Sequence, residues 1–240
     1  MGDDPFGEAF LDYYEGKNPI MTIERDDGYE DLDNMYEYFR EYKDFPECEK
    51  RALEHVRGRV LDIGVGAGRA ALHLQSKGFE VVGIDLSDKA LEVAKRRGVK
   101  HAVKMSACDI HFEGGSFGTA IAFGNNFGLC GSPEGVMAML LRLRKVLTKD
   151  GVILAESINP LATDKKAHIE YHAMNRAKGR MAGQVKLRDK YKDLVSEWSD
   201  LLMVTPAEMR GMAERVGWMI EVIYEDRGPP SFYVAVLKKL

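Results

Sequence analysis

Residues 60–74 read VLDIGVGAGRAALHL: an apolar run containing Asp62, then Gly64, Gly66 and Gly68 on alternate positions, then a helical pattern. Glycine lets a backbone turn sharply and approach a ligand with no side chain in the way. A strand that passes through such a turn into a helix is the opening unit of an α/β fold with a parallel sheet, and ligands of that architecture gather at the carboxyl ends of the strands.

The middle of the chain repeats this alternation. Short β-branched runs predict strands at 59–64, 80–85, 101–105, 118–124 and 151–157, with helices near 69–77, 88–97 and 133–147 between them. Ser87 caps the second helix and Gly98 ends it, while Ser132-Pro133 opens the third with proline in its first turn. After an excursion from 159 to 204, Thr205-Pro206 starts another helix that stops near Gly217. Two further strands, 218–225 and 231–238, are joined by Gly228-Pro229-Pro230, a connection short enough for an antiparallel pair.

Asp85 ends the next strand, in GIDLS, 17 residues beyond Gly68. A carboxylate there takes the two hydroxyls of a ribose. A dinucleotide loop needs G-x-G-x-x-G, whereas the spacing here is G-x-G-x-G with Arg69 in the place of the last glycine, which disfavours pyrophosphate. The negative charge of Asp62 repels phosphate and suits an ammonium. Both departures favour S-adenosylmethionine over NAD as the ligand.

VLDIGVGAG, GIDLS and ACDI together resemble the first three motifs of the class I S-adenosylmethionine-dependent methyltransferases, over about residues 59–157 and the last two strands. The resemblance implies an α/β, Rossmann-like doubly wound fold: about seven strands, mostly parallel with one antiparallel. It also implies a helical cap at 1–58, a methyltransferase domain at 59–240 and a lid-like insertion at 159–204 after the fifth strand. Cofactor contacts are implied at Asp62, Gly64, Val65, Gly66, Gly68 and Arg69 in the loop; at Asp85 for ribose and Leu86 for one adenine face; at Cys108, Asp109 and Ile110, with Asp109 on the adenine amino group; and at Gly124 and Asn125. Val65 stands where the family very often has cysteine.

Asn125-Asn126, flanked by glycines after the fourth strand, resembles the family's fourth motif with amides replacing the usual acid. Asn126 is a candidate acceptor-side residue; the plainer reading is an asparagine turn. Thr163-Asp164 caps a helix ending at Gly179 that carries His168, Tyr171, His172 and Asn175 on one face. His168 and His172 serve as acceptor contacts or base, as half of a metal site lacking its other ligands, or as ordinary surface residues. No metal is expected. In 1–58, Met35, Phe39 and Tyr42 fall at helical spacing and read as core, while Tyr29, with Arg25 and Tyr38, is a candidate for the catalytic pocket or for packing. Methyl transfer is an in-line displacement that needs alignment, exclusion of water and at most a base, so no covalent nucleophile is sought.

Composition narrows the function. At 45% hydrophobic and 30% charged residues over 240 positions, one soluble globular domain is expected. No run approaches the roughly 18 apolar residues of a membrane span, and MGDDPFGEAF has no basic-then-apolar leader pattern, so a cytoplasmic location is expected. Cys48, Cys108 and Cys130 show no CxxC spacing and predict neither disulfide nor zinc.

Residues 1–58 hold 17 Asp and Glu against 7 Lys and Arg, a net of −10; residues 165–192 hold 9 basic against 2 acidic, a net of +7. Lys186, Arg188, Lys190 and Lys192 form one basic strand edge, expected against the acidic N-terminal region as a two-part lid. An enclosed pocket and a sequence pI near 5.9 favour a small-molecule acceptor. RNA methylation, supported by the basic strand, and a nucleotide-sensing module without chemistry are the alternatives.

Overall fold

The computed structural model describes residues 3–226, 228 and 230–240. In chain order the elements are α1 (Pro5–Tyr14), β1 (Ile20–Arg25), β2 (Glu30–Asn34), α2 (Tyr36–Phe39), α3 (Glu47–Leu53), β3 (Val60–Ile63), α4 (Arg69–Ser76), β4 (Val81–Asp85), α5 (Asp88–Arg97), β5 (His101–Lys104) and β6 (Phe117–Ala122). They continue with α6 (Pro133–Val146), β7 (Leu147–Ile158), α7 (Lys166–Ala177), β8 (Gln184–Tyr191), β9 (Leu194–Val195), β10 (Ser199–Leu202), α8 (Pro206–Arg215), β11 (Trp218–Glu225) and β12 (Phe232–Lys239).

Seven strands form the main sheet in the order β11-β12-β7-β6-β3-β4-β5. Its strands pair in parallel from β5 to β7, and β12 runs antiparallel to both β7 and β11. Every residue of β3 and β6 is buried, as strands covered by helices on both faces must be. Leu61, Ile63, Leu140 and Trp218 belong to the core on one face; Val60, Leu74, Leu91 and Val234 belong to the core on the other.

The helix signals act as their chemistry requires. Ser87 Oγ accepts from the Ala90 amide and Gly98 closes α5 at φ +111°; Ser132 caps α6; Thr205 and Glu208 form a reciprocal capping box on α8. Of the turn Gly228-Pro229-Pro230, Pro229 lies outside the described residues.

The N-terminal region is not helical throughout. The alternation in Ile20-Met21-Thr22-Ile23 makes β1, Gly28 turns the chain at φ +86°, and β2 returns antiparallel. Met35 is fully buried but the helix after it lasts only four residues. The insertion then supplies β8 to β1 and β10 to β8, giving a second, antiparallel sheet in the order β10-β8-β1-β2 with β9 on β8. Beneath it Phe10, Met21, Met35, Ala67, Ala90 and Val93 form a third core. This second sheet, built from the N-terminal region and the insertion, therefore shares apolar surface with the loop after β3.

A second correction concerns the cysteines. Cys108 and Cys130 form a disulfide with Cα atoms 5.6 Å apart, across 22 residues of sequence. The turn after β5 and the turn after β6 reach the same end of the sheet, and that proximity leaves no mark on local spacing. Among the described residues no helix is long and apolar enough to cross a membrane.

Candidate functional site

The loop after β3 is held in the shape its glycines allow. Gly64 lies at φ +70°, and a Cβ there would stand 2.3 Å from Asn126 Nδ2. Gly66 lies at φ +52° with the Phe10 ring of α1 against it. Its amide donates to Asp85 Oδ2 at 2.9 Å, while the Ser87 amide donates to Asp85 Oδ1 at 3.0 Å. The carboxylate that ends β4 is thus fixed by the loop and keeps lone pairs for a diol. Burial pushes the Asp85 carboxyl up from its ordinary range.

Asp62, buried in β3, is pushed up to about 7 by burial, opposed by Arg69. Arg69 opens α4 and turns back to the cap: its Nη1 and Nη2 donate to the two oxygens of Glu49 at 2.5 Å each, and its guanidinium lies 4.7 Å from the Phe45 ring centre. Glu156, near the end of β7, accepts from the Gly124 amide at 2.7 Å and meets the Glu49 carboxyl; burial and then Glu49 hold it well above the usual carboxylate range. Glu49 and Glu156 were not anticipated from the sequence. For Glu156 the signal is a lone acid inside the apolar run VILAESI; for Glu49 none exists.

Asn125 adopts φ +66° at the turn after β6. Its Oδ1 accepts from Ser157 Oγ and the Ile158 amide, both at 3.0 Å, whereas its buried Nδ2 has no partner among the described residues. A buried donor without an acceptor is costly unless a ligand completes it. Asn126 has no such spare donor: Nδ2 donates to the carbonyls of Ile63 at 2.8 Å and Gly64 at 3.1 Å. Leu86 stands 63% exposed beside Asp85, an apolar face suited to a purine. Ile110 is buried under the same region, Asp109 is exposed with Arg142 at 3.7 Å, and Cys108 is tied into the disulfide. Val65 packs against Gly83, where a Cβ would lie 2.6 Å away, and so serves the loop's fit to β4.

Tyr29, His168 and Arg25 meet where the β1–β2 turn packs against α7. Arg25 is buried between the rings of Tyr171 at 4.1 Å and Tyr29 at 4.7 Å, and its guanidinium donates to both oxygens of Asp27 and to the Ala167 carbonyl. Tyr29 and His168 pack edge to face at 5.1 Å, and His168 Nδ1 lies 3.2 Å from Thr163 Oγ1. His172 is buried, and burial lowers both histidines so that they are neutral at pH 7. Nearer the loop, Tyr38 donates to Asp33 at 2.6 Å, and burial pushes Asp189 of β8 up to about 6. Asp4 caps α1 through the Gly7 amide and accepts from Ser87 Oγ at 2.6 Å, which docks the first helix on the residue after Leu86.

Comparison with known proteins agrees with this geometry. Residues 60–151 match the family described as methyltransferase domain. YqeM of Bacillus subtilis, named as a methyltransferase, is 46% identical over 41 residues, and the uncharacterized methyltransferase OB1106 of Oceanobacillus iheyensis is 31% identical over 91 residues. Those matches cover 17% and 38% of this chain, and span 17% and 40% of the relatives' own lengths.

Among solved structures, a SAM-dependent methyltransferase from Bacteroides fragilis in complex with S-adenosyl-L-homocysteine superposes with a TM-score of 0.81 at 29% identity, covering 99% of this chain and 95% of that one. SAM-dependent methyltransferases from Methanosarcina mazei (TM-score 0.64, 18% identity, 82% and 99% covered) and CcbJ from Streptomyces caelestis (0.61, 16%, 82% and 97%) share the fold. With the glycine loop, Asp85 and the reversed β12 in place, residues 60–151 match the methyltransferase domain family, and the fold of nearly the whole chain is similar to that of a SAM-dependent methyltransferase.

Proposed function

We propose that the protein transfers the methyl group of S-adenosylmethionine to a small-molecule acceptor held between the glycine loop and the lid sheet. The residues fit the cofactor: the loop after β3 presents backbone rather than side chains, Leu86 offers an exposed apolar face, and Asn125 Nδ2 is a buried donor awaiting an acceptor. When bound, the cofactor supplies the electrophilic methyl. Asp85 takes the ribose hydroxyls, Asp109 faces the adenine amino group, and Asp62 offers negative charge to the methionine ammonium. Asn126 works as a positioning residue that ties the turn after β6 to the loop carbonyls.

The acceptor side is assigned to Tyr29, just before β2, and to His168 and His172 of α7. His168, neutral at pH 7, is suited to taking a proton from a protonated acceptor. The lid excludes water, which alignment-driven transfer requires.

The observation that carries the small-molecule reading is charge pairing across the lid. Arg188 and Lys190 meet Glu24 at 2.5 and 2.7 Å, Lys190 meets Glu30 at 2.9 Å, and Lys192 meets Asp12 at 2.6 Å and Glu8 at 3.1 Å. Three of the four basic side chains of the strand are spent internally, which weakens the case for an RNA acceptor. The test is incubation with methyl-labelled S-adenosylmethionine and cell extract separated into small-molecule, RNA and protein fractions. Label in the small-molecule fraction supports the proposal, label in RNA favours the alternative, and no transfer to any fraction leaves a sensing module.

A further inference from the structure

The buried acids Glu49, Asp62 and Glu156 surround one largely buried guanidinium, that of Arg69. Glu49 accepts from both of its terminal nitrogens, Nη1 and Nη2, and neutralises it. Two carboxyls are then left without a cation, and among the described residues neither Asp62 nor Glu156 makes an ion pair of its own. The Glu49–Glu156 contact adds a constraint of a different kind. Two carboxyl groups within hydrogen-bonding reach hold together only around a shared proton, because two buried anions would repel. Since both Glu49 oxygens face Arg69 and Glu156 Oε2 accepts from the Gly124 amide, the proton belongs on Glu156.

The other groups facing Glu156 do not relieve it. Cys48, beside Glu49 on α3, is a neutral thiol that burial and the neighbouring acids push up, and Asp226 adds a further negative charge beyond it. Gly124 sits at the end of β6, beside Asn125, whose buried Nδ2 has no partner among the described residues, so an ammonium entering beside this turn reaches a cluster that is short of positive charge.

We propose that Glu156 is a positioning residue that makes cofactor binding a proton-releasing event: its carboxyl, neutral against Glu49 in the free protein, gives its proton to solvent as the methionine ammonium arrives, and the carboxylate then holds that ammonium. One cation enters, one proton leaves, and the cluster keeps its charge. The inference rests on the cofactor reading above. It gives the acid in VILAESI a task that burial alone would make a liability, since an isolated buried carboxyl is destabilising whether charged or not.

The experiment is calorimetric titration of S-adenosylmethionine into the full chain and into Glu156→Gln, in phosphate and in Tris at several pH values between 6 and 8. Buffer ionisation enthalpy then reports the protons released. Wild type is expected to release protons and to bind about tenfold tighter per pH unit for each proton released. Glu156→Gln keeps the acceptor for Gly124 and a donor for Glu49, and is expected to release fewer protons, with a flatter pH dependence set by Asp62 alone.

Equal proton release in the two proteins overturns the inference while leaving the cofactor reading intact. Absence of saturable binding to wild type overturns both. Should Glu156→Gln fail to fold, difference infrared spectroscopy of the wild-type protein decides: loss of a protonated-carboxyl band on adding S-adenosylmethionine is expected, and an unchanged band overturns the proposal.

Discussion

Arg69, the first residue of the helix after the glycine loop, and Glu49, on the last helix of the N-terminal region, are joined by two 2.5 Å hydrogen bonds, with Glu49 buried and Arg69 largely so. The pair fastens the N-terminal region to the glycine loop. Removing the cation leaves Glu49 buried and unpaired beside Asp62 and Glu156, a change that costs about 3 to 5 kcal/mol. Arg69→Ala is therefore expected to lower the denaturation midpoint by an amount matching that loss, in urea unfolding at pH 7. A loss below about 1 kcal/mol contradicts the assignment.

Asp62 makes stability depend on pH in a defined direction. Folding raises its pKa from 3.8 to about 7, so between those values the native state keeps a proton that the unfolded chain has released. Its contribution is whole below about pH 4 and declines as pH rises toward 7. Asp62→Asn removes that decline. Relative to wild type, the variant should gain stability from pH 5 to pH 8, on the order of a few kcal/mol, as read by urea unfolding without cofactor. A difference that stays flat with pH would falsify this.

Asn126 links two turns through the carbonyls of Ile63 and Gly64. Asn126→Ala leaves both carbonyls unpaired at about 1 kcal/mol each, so cofactor affinity should fall several-fold to tenfold. An effect confined to kcat, with cofactor Kd unchanged, would instead place this amide on the acceptor.

The lid is held by many small terms. Surface pairs such as Lys190–Glu30 contribute about 0 to 1 kcal/mol each, and 1 M salt shortens the Debye length to about 3 Å. Limited proteolysis in 1 M salt should nick 20–34 faster while the main sheet stays folded, and cofactor should slow it. Salt-independent cleavage counts against an electrostatically oriented lid.

Much of this architecture was legible because its signals are local. The spaced glycines and the Ser87, Ser132 and Thr205 caps each act within a few residues of themselves, and Asp62 and Asp85 stand in or at the end of strands that flank the glycine loop. The meeting of the N-terminal region and the insertion was legible as charge: −10 and +7 blocks announced it and alternation marked 185–192 as a strand, but not its pairing with β1, because β1 and β8 lie more than 150 residues apart and their pairing is a tertiary choice. Glu49, Glu156 and the Cys108–Cys130 pair were hidden for the same reason. Each matters through a partner brought close by the sheet, and no spacing rule sees such a partner. Asn126 was visible as a polar residue at the right place, but its amide is engaged by backbone that only the folded loop supplies.

The most direct test is equilibrium binding of S-adenosylmethionine to wild type and to Asp85→Ala, with NAD as competitor. Two charge-assisted hydrogen bonds to ribose, at about 1.5 to 3 kcal/mol each, are lost in the variant, so affinity is predicted to fall at least tenfold while NAD fails to compete. Unchanged affinity in Asp85→Ala, or tighter binding of NAD than of S-adenosylmethionine, would contradict the account.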